Sequence, residues 1–237
     1  MLTAGLIVLC VVAIMLAGAA IQRFRLGISF RQALLYSPLK LIYRIGDAPI
    51  RVARAAEPPV IYAISHQSRL DPALMLSLLP DNTLHILDEY SAQSYWLEPW
   101  REVARTIAFN ASHVFVSRRL VRHLKGRGRL AVYFQDIDET DAKAFRLYRA
   151  VARIARKADA RIVPIVIGGA SRLPFALEPS AQGRRLLPKL TISVLEPMTV
   201  SELTVRSPRE TNNPSFALFD RVEEARWATV SDLKDAA

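Results

Sequence analysis

The segment His66-Gln67-Ser68-Arg69-Leu70-Asp71 has residue types and a spacing that suit acid–base chemistry. A histidine held through one ring nitrogen by a carboxylate can take a hydroxyl proton on the other. On one continuous helix, residues five apart would point about 140° away from each other. Pro72 removes that obstacle, because proline suits the first turn of a helix and so starts the helix at Asp71. His66 then falls in the turn before it, where the two side chains can meet. Alone, this spacing is weak: Asp71 also suits a plain helix cap, and His66 a satisfied polar residue.

The surrounding elements must hold that turn. Val60–Ile64 is an unbroken apolar run after Pro58-Pro59 and reads as a buried strand. A strand end followed by a helix start is where α/β proteins place their sites. The helix from Asp71 runs to about Leu79. Further strands are expected at 84–87, 113–117, 130–134, 161–167 and 189–195. Helices are expected at 98–108, 120–124 and 141–157. The last has Phe145, Tyr148, Val151, Ala152 and Ala155 on one face and Arg146, Arg149, Arg153 and Arg156 on the other. This alternation predicts an α/β fold, a mixed, mostly parallel sheet flanked by helices. A loop around Ser207–Pro214 precedes a last helix and a frayed tail.

Leu2–Ile21 holds 20 residues without a charge, enough for a helix of about 30 Å, the thickness of a hydrocarbon core. No cation precedes this run, while Arg23, Arg25, Arg31, Lys40 and Arg44 follow it. That pattern favours a retained, single-pass anchor in the inner (cytoplasmic) membrane, with the main domain on the cytoplasmic side, over a cleaved signal or a buried core helix. Gly27–Ile45 reads either as a pair of core helices broken at Pro38 or as an interfacial segment. The organisation expected is an anchor over 1–22, juxtamembrane helices over 23–48, a catalytic domain over 49–205, and a C-terminal helix and tail over 206–237. The net charge of +10 in 237 residues, beside 51% hydrophobic residues, calls for an anionic partner. Nucleic acid is disfavoured, because no reader module or interleaved aromatic row accompanies the charge. The single cysteine, Cys10, excludes an intramolecular disulfide or a cysteine zinc site. No G-x-S-x-G elbow, H-E-x-x-H or P-loop occurs, and Gly126-Arg127-Gly128 is not a dinucleotide fingerprint.

The segment AISHQSRLDP resembles the first motif of the glycerolipid acyltransferase family, N-H-x-S-x-x-D, with His66, Ser68 and Asp71 matching and Ser65 in the place of the Asn. Phe115-Val116-Ser117-Arg118 is similar to a second family motif, a strand ending F-[IV]-x-R. Val163-Pro164-Ile165 is similar to a fourth, V-P-[IV]. From Arg129 to about Val200 the chain also resembles the acyltransferase half of the bifunctional 2-acylglycerophosphoethanolamine acyltransferase/acyl-carrier-protein synthetase. The departure is the third motif, F-P-E-G-[TR], where Phe134-Gln135-Asp136-Ile137-Asp138 stands. Asp136 takes the place of the Glu, and Ile137 that of a glycine.

The resemblance implies a membrane-bound O-acyltransferase that moves an acyl group from acyl carrier protein or coenzyme A to a hydroxyl of a lysophospholipid. His66 would act as base and Asp71 as its orienting partner. Arg118 would hold an acceptor phosphate, Asp136 would contact the acceptor, and Ser68 would cap the turn or line the site. The acyl thioester is a co-substrate, and no other cofactor or metal is required. The partners implied are membrane lipids and the thioester donor; the oligomeric state is left open. The altered third motif supports a competing reading, a degenerate relative serving as a lipid-binding or assembly subunit.

Overall fold

The computed structural model describes residues 2–87, 97–101, 105–108, 114–135, 145–178, 183–207 and 213–235. In chain order, the first half comprises α1 (Leu2–Leu26), α2 (Phe30–Tyr43), α3 (Ile50–Ala55), β1 (Val60–His66), α4 (Asp71–Leu78), β2 (Thr83–Leu87), α5 (Glu98–Arg101) and β3 (Arg105–Ala108). The second half comprises α6 (Val114–Lys125), β4 (Arg129–Gln135), α7 (Phe145–Ala158), β5 (Arg161–Gly168), β6 (Thr191–Val194), α8 (Val200–Arg206) and α9 (Pro214–Asp235).

The apolar run at Val60 becomes a central strand because it has no face that could meet water. All seven residues of β1 are buried. The sheet order is β3-β2-β4-β1-β5-β6. Every pairing is parallel except β5 with β6, so the sheet is mixed and mostly parallel, as the element pattern predicts. One face is covered by α2, α3 and α4, whose Tyr36, Ile50 and Leu74 pack with Tyr62 of β1. The other is covered by α6, α7, α8 and α9. There Phe134 of β4, Tyr148 of α7 and Phe219 of α9 stack with ring centroids 4.4 and 5.3 Å apart. Such aromatic pairs contribute about 0.5–1.5 kcal/mol each beyond their buried area. They fix α9 against the sheet, which matters for the site below. The five predicted apolar residues of α7 are buried, and its four arginines are exposed.

Several sequence expectations need correction. Of the strand expected over 113–117, His113 lies outside the described residues, and residues 114–117 are instead the start of helix α6. Its buried Leu120 and Leu124 are four apart, the spacing of a helix face, and this period overrides the β-branched start. The expected helix over 98–108 resolves into α5 and the parallel edge strand β3. Pro38 does not break α2, which runs through it. The helix is held at both sides of the proline. A Ser29–Gln32 capping box closes its start, and the Gln32 amide donates to the carbonyls of Leu76 and Leu79 at 3.0 and 2.8 Å. Burial of Tyr36, Ser37 and Tyr43 adds to this, and together these offset a proline cost of about 3 kcal/mol.

Helix α1 is long and apolar enough to cross a membrane. Its side chains are mostly exposed, with Leu9 65% and Phe24 87% open. Its C-terminal half meets protein, where Gly18 lies beside Ser37 of α2 and Ala19 is buried.

Candidate active site

His66 is the last residue of β1, opposite Gln135 at the end of β4. Both strands end at the carboxyl edge of the parallel sheet, the edge where open α/β sheets bind ligands. The chain then turns through Gln67–Leu70 into α4. A neighbouring segment braces this turn: the Arg69 N–H donates to the Phe175 carbonyl at 3.3 Å, and the Leu177 N–H donates to that of Gln67 at 2.9 Å.

Asp71 is the organiser of the turn. The cap of α4 is Leu70, and Asp71 already lies in the first turn, so the expected helix-cap role is not the one observed. Its carboxylate points backwards instead. Oδ2 accepts the backbone N–H groups of Gln67 and Ser68 at 2.7 Å each, and Oδ1 accepts the Ser68 hydroxyl at 3.0 Å. The same hydroxyl oxygen accepts the Leu70 N–H at 3.1 Å. Three donors and the start of a helix hold a charge that is wholly buried. Of the two roles read for Ser68, the geometry supports capping the turn, since its side chain is fully buried and engaged.

His66 Nδ1 stands 3.5 Å from Asp71 Oδ2. That is longer than a formed hydrogen bond, and Nδ1 has no other partner among the described residues. Acid–base contacts of this kind commonly tighten only when substrate is bound. With Nδ1 turned to the carboxylate, Nε2 is the nitrogen left for a substrate proton. At 4% exposed, the imidazole is screened from bulk water.

Two residues beneath His66 were not singled out by the sequence. The ring of Tyr133 meets His66 edge-on, with centroids 5.7 Å apart. Its hydroxyl shares a 2.9 Å hydrogen bond with His85 Nδ1. Burial lowers the His85 pKa to about 3, and burial together with the Asp71 charge raises the Tyr133 phenol. Both side chains are therefore neutral near pH 7, so His66 has no competing charge below it. A histidine inside the fully buried strand TLHIL was the available signal.

A third residue comes from far along the chain. Arg226 of α9 is 6% exposed. Its Nε donates to Ser65 Oγ at 3.1 Å, and its Nη2 donates to the carbonyls of Phe134 and Gln135 at 3.4 and 3.1 Å. Nη1 is paired with Glu223. One guanidinium thus ties together the ends of β1 and β4, at the residue before His66 and at the residue before Asp136. No local pattern marks Arg226 for this role.

The remaining expected residues fall elsewhere. Asp136 lies outside the described residues. Arg118 is exposed on α6, in a hollow lined by Val121, Arg122, Lys125, Arg153 and Lys157; His66 is not part of that lining. Among the described residues, no group of three or more His, Cys, Asp or Glu side chains is arranged to hold a metal ion.

A model of the family described as Acyltransferase matches residues 50–168. This stretch runs from α3 to the end of β5 and contains the turn, both strand ends and Arg118. The fold is similar to a crystal structure of the 1-acyl-sn-glycerophosphate (LPA) acyltransferase PlsC from Thermotoga maritima. The TM-score is 0.52 at 15% identity, over 93% of this chain and 90% of that one. At such identity the likeness is one of fold.

Proposed function

Because the chain belongs to the acyltransferase family, we propose that His66 and Asp71 catalyse transfer of an acyl group from a thioester to a lysophospholipid hydroxyl. The observation that carries this reading is the imidazole facing a wholly buried, three-times-bonded carboxylate at the carboxyl end of a central parallel strand.

The chemistry follows from that geometry. Nε2 of His66 takes the proton of the acceptor hydroxyl as its oxygen attacks the thioester carbonyl carbon. The imidazolium so formed is stabilised by Asp71, which also holds the ring in place. The tetrahedral intermediate then collapses: the C–S bond breaks, an ester remains, and the departing thiolate takes the proton back from His66. Atoms and charge balance without an acyl-enzyme.

Arg118, beside Arg122, Lys125 and Arg153, suits an acceptor phosphate, because a guanidinium fork matches phosphate oxygens. Asp136 would meet the acceptor next to the strand ends that Arg226 clamps. The donor is acyl carrier protein or coenzyme A, and 2-acylglycerophosphoethanolamine is the first acceptor to try, on the motif resemblance. The apolar, exposed α1 with Arg23 and Arg25 in its last turn supports a membrane-held enzyme with its domain on the cytoplasmic side. Acyl chains lose about 0.8 kcal/mol per methylene brought into water, so a membrane-held site lets the lipid stay in the bilayer while its headgroup reacts.

The test is a membrane assay with labelled acyl–carrier protein and acyl–coenzyme A against a panel of lysophospholipids, wild type beside His66→Ala. Incorporation by the wild type that is lost in the variant is the expected outcome. No incorporation into any lipid, beside an active control enzyme, would return the chain to a lipid-binding subunit.

A further inference from the structure

A second concave site lies at the foot of α1. It is a cavity of about 960 Å³ between the last turn of α1, the C-terminal end of α2, α3, and the segment entering β6. Seven arginines and lysines line it against one carboxylate. That carboxylate, Asp47, is already engaged: it pairs with Arg25, accepts from Lys40 Nζ at 2.6 Å, and accepts from the Tyr36 hydroxyl at 2.5 Å. Burial raises its carboxyl pKa, but these donors and charges outweigh the effect and hold it below the ordinary value.

The other five cations, Arg44, Arg51, Arg172, Arg185 and Lys189, have no carboxylate partner among the described residues. Arg44 and Arg51 reach only the carbonyls of Leu187 and Arg25. Two buried polar atoms on the cavity wall, Arg172 Nε and Thr191 Oγ1, have no hydrogen-bond partner among the described residues. Five cations without a carboxylate around one open concave site are the complement of an oxyanion with several acceptor oxygens. The place of the cavity says where that anion comes from. Leu187 in its lining is 57% exposed, and Phe24, Leu41 and Leu186, next in the chain to the lining residues Arg25, Lys40 and Leu187, are 87, 70 and 79% exposed. Cations interleaved with exposed apolar side chains, at the end of an apolar helix, suit the headgroup level of an anionic bilayer.

We propose that this cavity binds the phosphate of an anionic membrane phospholipid, at a site separate from His66. The volume exceeds a bare phosphate and accommodates a phosphoglycerol headgroup. One chain segment links the two sites. Arg172 sits in the 3₁₀ turn Ala170–Arg172, and the chain beyond it supplies the Phe175 and Leu177 contacts that brace Gln67 and Arg69. The assignment rests on reading α1 as a membrane helix.

The experiment uses the full chain in maltoside micelles, titrated calorimetrically with dihexanoyl phosphatidylglycerol, dihexanoyl phosphatidylcholine and inorganic phosphate. Phosphatidylglycerol should bind tightest. The double variant Arg172→Gln/Arg185→Gln should weaken it about tenfold or more, the worth of lost charge-assisted hydrogen bonds. Thr191→Val, which keeps charge and volume, should weaken it severalfold and guards against misfolding of the double variant. Arg146→Gln/Arg156→Gln removes equal charge from the exposed face of α7 and should leave binding unchanged. Equal losses in the two double variants would overturn the site in favour of diffuse attraction. Inorganic phosphate binding as tightly as phosphatidylglycerol would assign the cavity to a free anion. Binding of an acidic carrier protein with no response to phosphatidylglycerol would also overturn the proposal. His66→Ala should bind the lipid as wild type does, and absence of acyl transfer by the wild type with lipid binding intact would remove the enzymatic reading alone. Failure of the wild type to float with phosphatidylcholine vesicles would remove the membrane reading of α1 and, with it, the membrane-lipid assignment of the cavity.

Discussion

The turn between β1 and α4 and the junction between β4 and α9 lie at the same edge of the sheet, yet they are built in opposite ways. In the turn, His66, Ser68 and Asp71 span six residues, and each polar contact of the carboxylate stays within five positions. At the junction, Arg226 reaches Ser65 across 161 positions and Phe134 across 92. Local chain geometry brings the candidate base to its carboxylate, with the Phe175–Leu177 segment bracing the turn. Holding the strand ends that carry the base and the altered third motif takes a side chain from the last helix. The difference separates the turn proposed to transfer the proton from the clamp that holds the strand ends beside it.

The largest effect expected falls on the turn. His66→Ala should lower kcat by about 10²- to 10⁴-fold, the usual worth of a general base. A variant with near-normal turnover would end the assignment. Asp71→Asn should follow, with kcat down about 10²-fold or more. It should also destabilise the chain by about 1–3 kcal/mol, since an amide cannot accept all three donors. Full activity of Asp71→Asn with an unchanged melting temperature would show that the turn does not depend on the carboxylate. At the junction, Arg226→Met should cost about 3 kcal/mol of stability, because Glu223 and several carbonyls lose a buried partner. Its positioning role is read from kinetics: kcat should drop about tenfold in a folded sample at low temperature, and Arg226→Lys should restore stability better than kcat. Equal recovery of both would make Arg226 a purely structural clamp.

The smallest effect concerns the neutral pair beneath the turn. The His85 pKa is lowered to about 3 in the folded chain by burial, against an ordinary value of 6.5. Between those values the unfolded chain binds a proton that the folded chain does not, so stability falls as pH drops from 6.5 towards 3. The slope is about 1 kcal/mol per pH unit. Denaturation curves at pH 4.5–6.5 should show this limb in the wild type and a flatter one in His85→Gln. The same slope in both would mean that His85 is not held neutral.

Much of the framework was legible from residue order. The unbroken Val60–Ile64 run, the Asp71-Pro72 start and the two faces of α7 are short-range signals, and the structure repeats them. Misreadings arose where a short apolar stretch fits two periods. Residues 114–117 suit a strand until Leu120 and Leu124 extend the pattern to helical spacing. Residues 105–108 suit a helix until they pair with β2. Pro38 suggests a break because local sequence does not reveal the tertiary bonds from Gln32 that hold α2 in place.

What the sequence determined by itself was the His66–Asp71 turn and the apolar N-terminal segment, because both depend on neighbours a few residues apart and on composition. Only the tertiary structure decided that Asp71 accepts from the turn rather than capping α4, that His85 and Tyr133 lie neutral under His66, and that Arg226 joins two strand ends. The gathering of Arg44, Arg172 and Arg185 around one cavity belongs to the same class. Asp71 acts within its own turn, but the other contacts span 48 to 161 positions and leave no periodic trace in the chain; they exist only once the sheet order has brought distant segments to one edge.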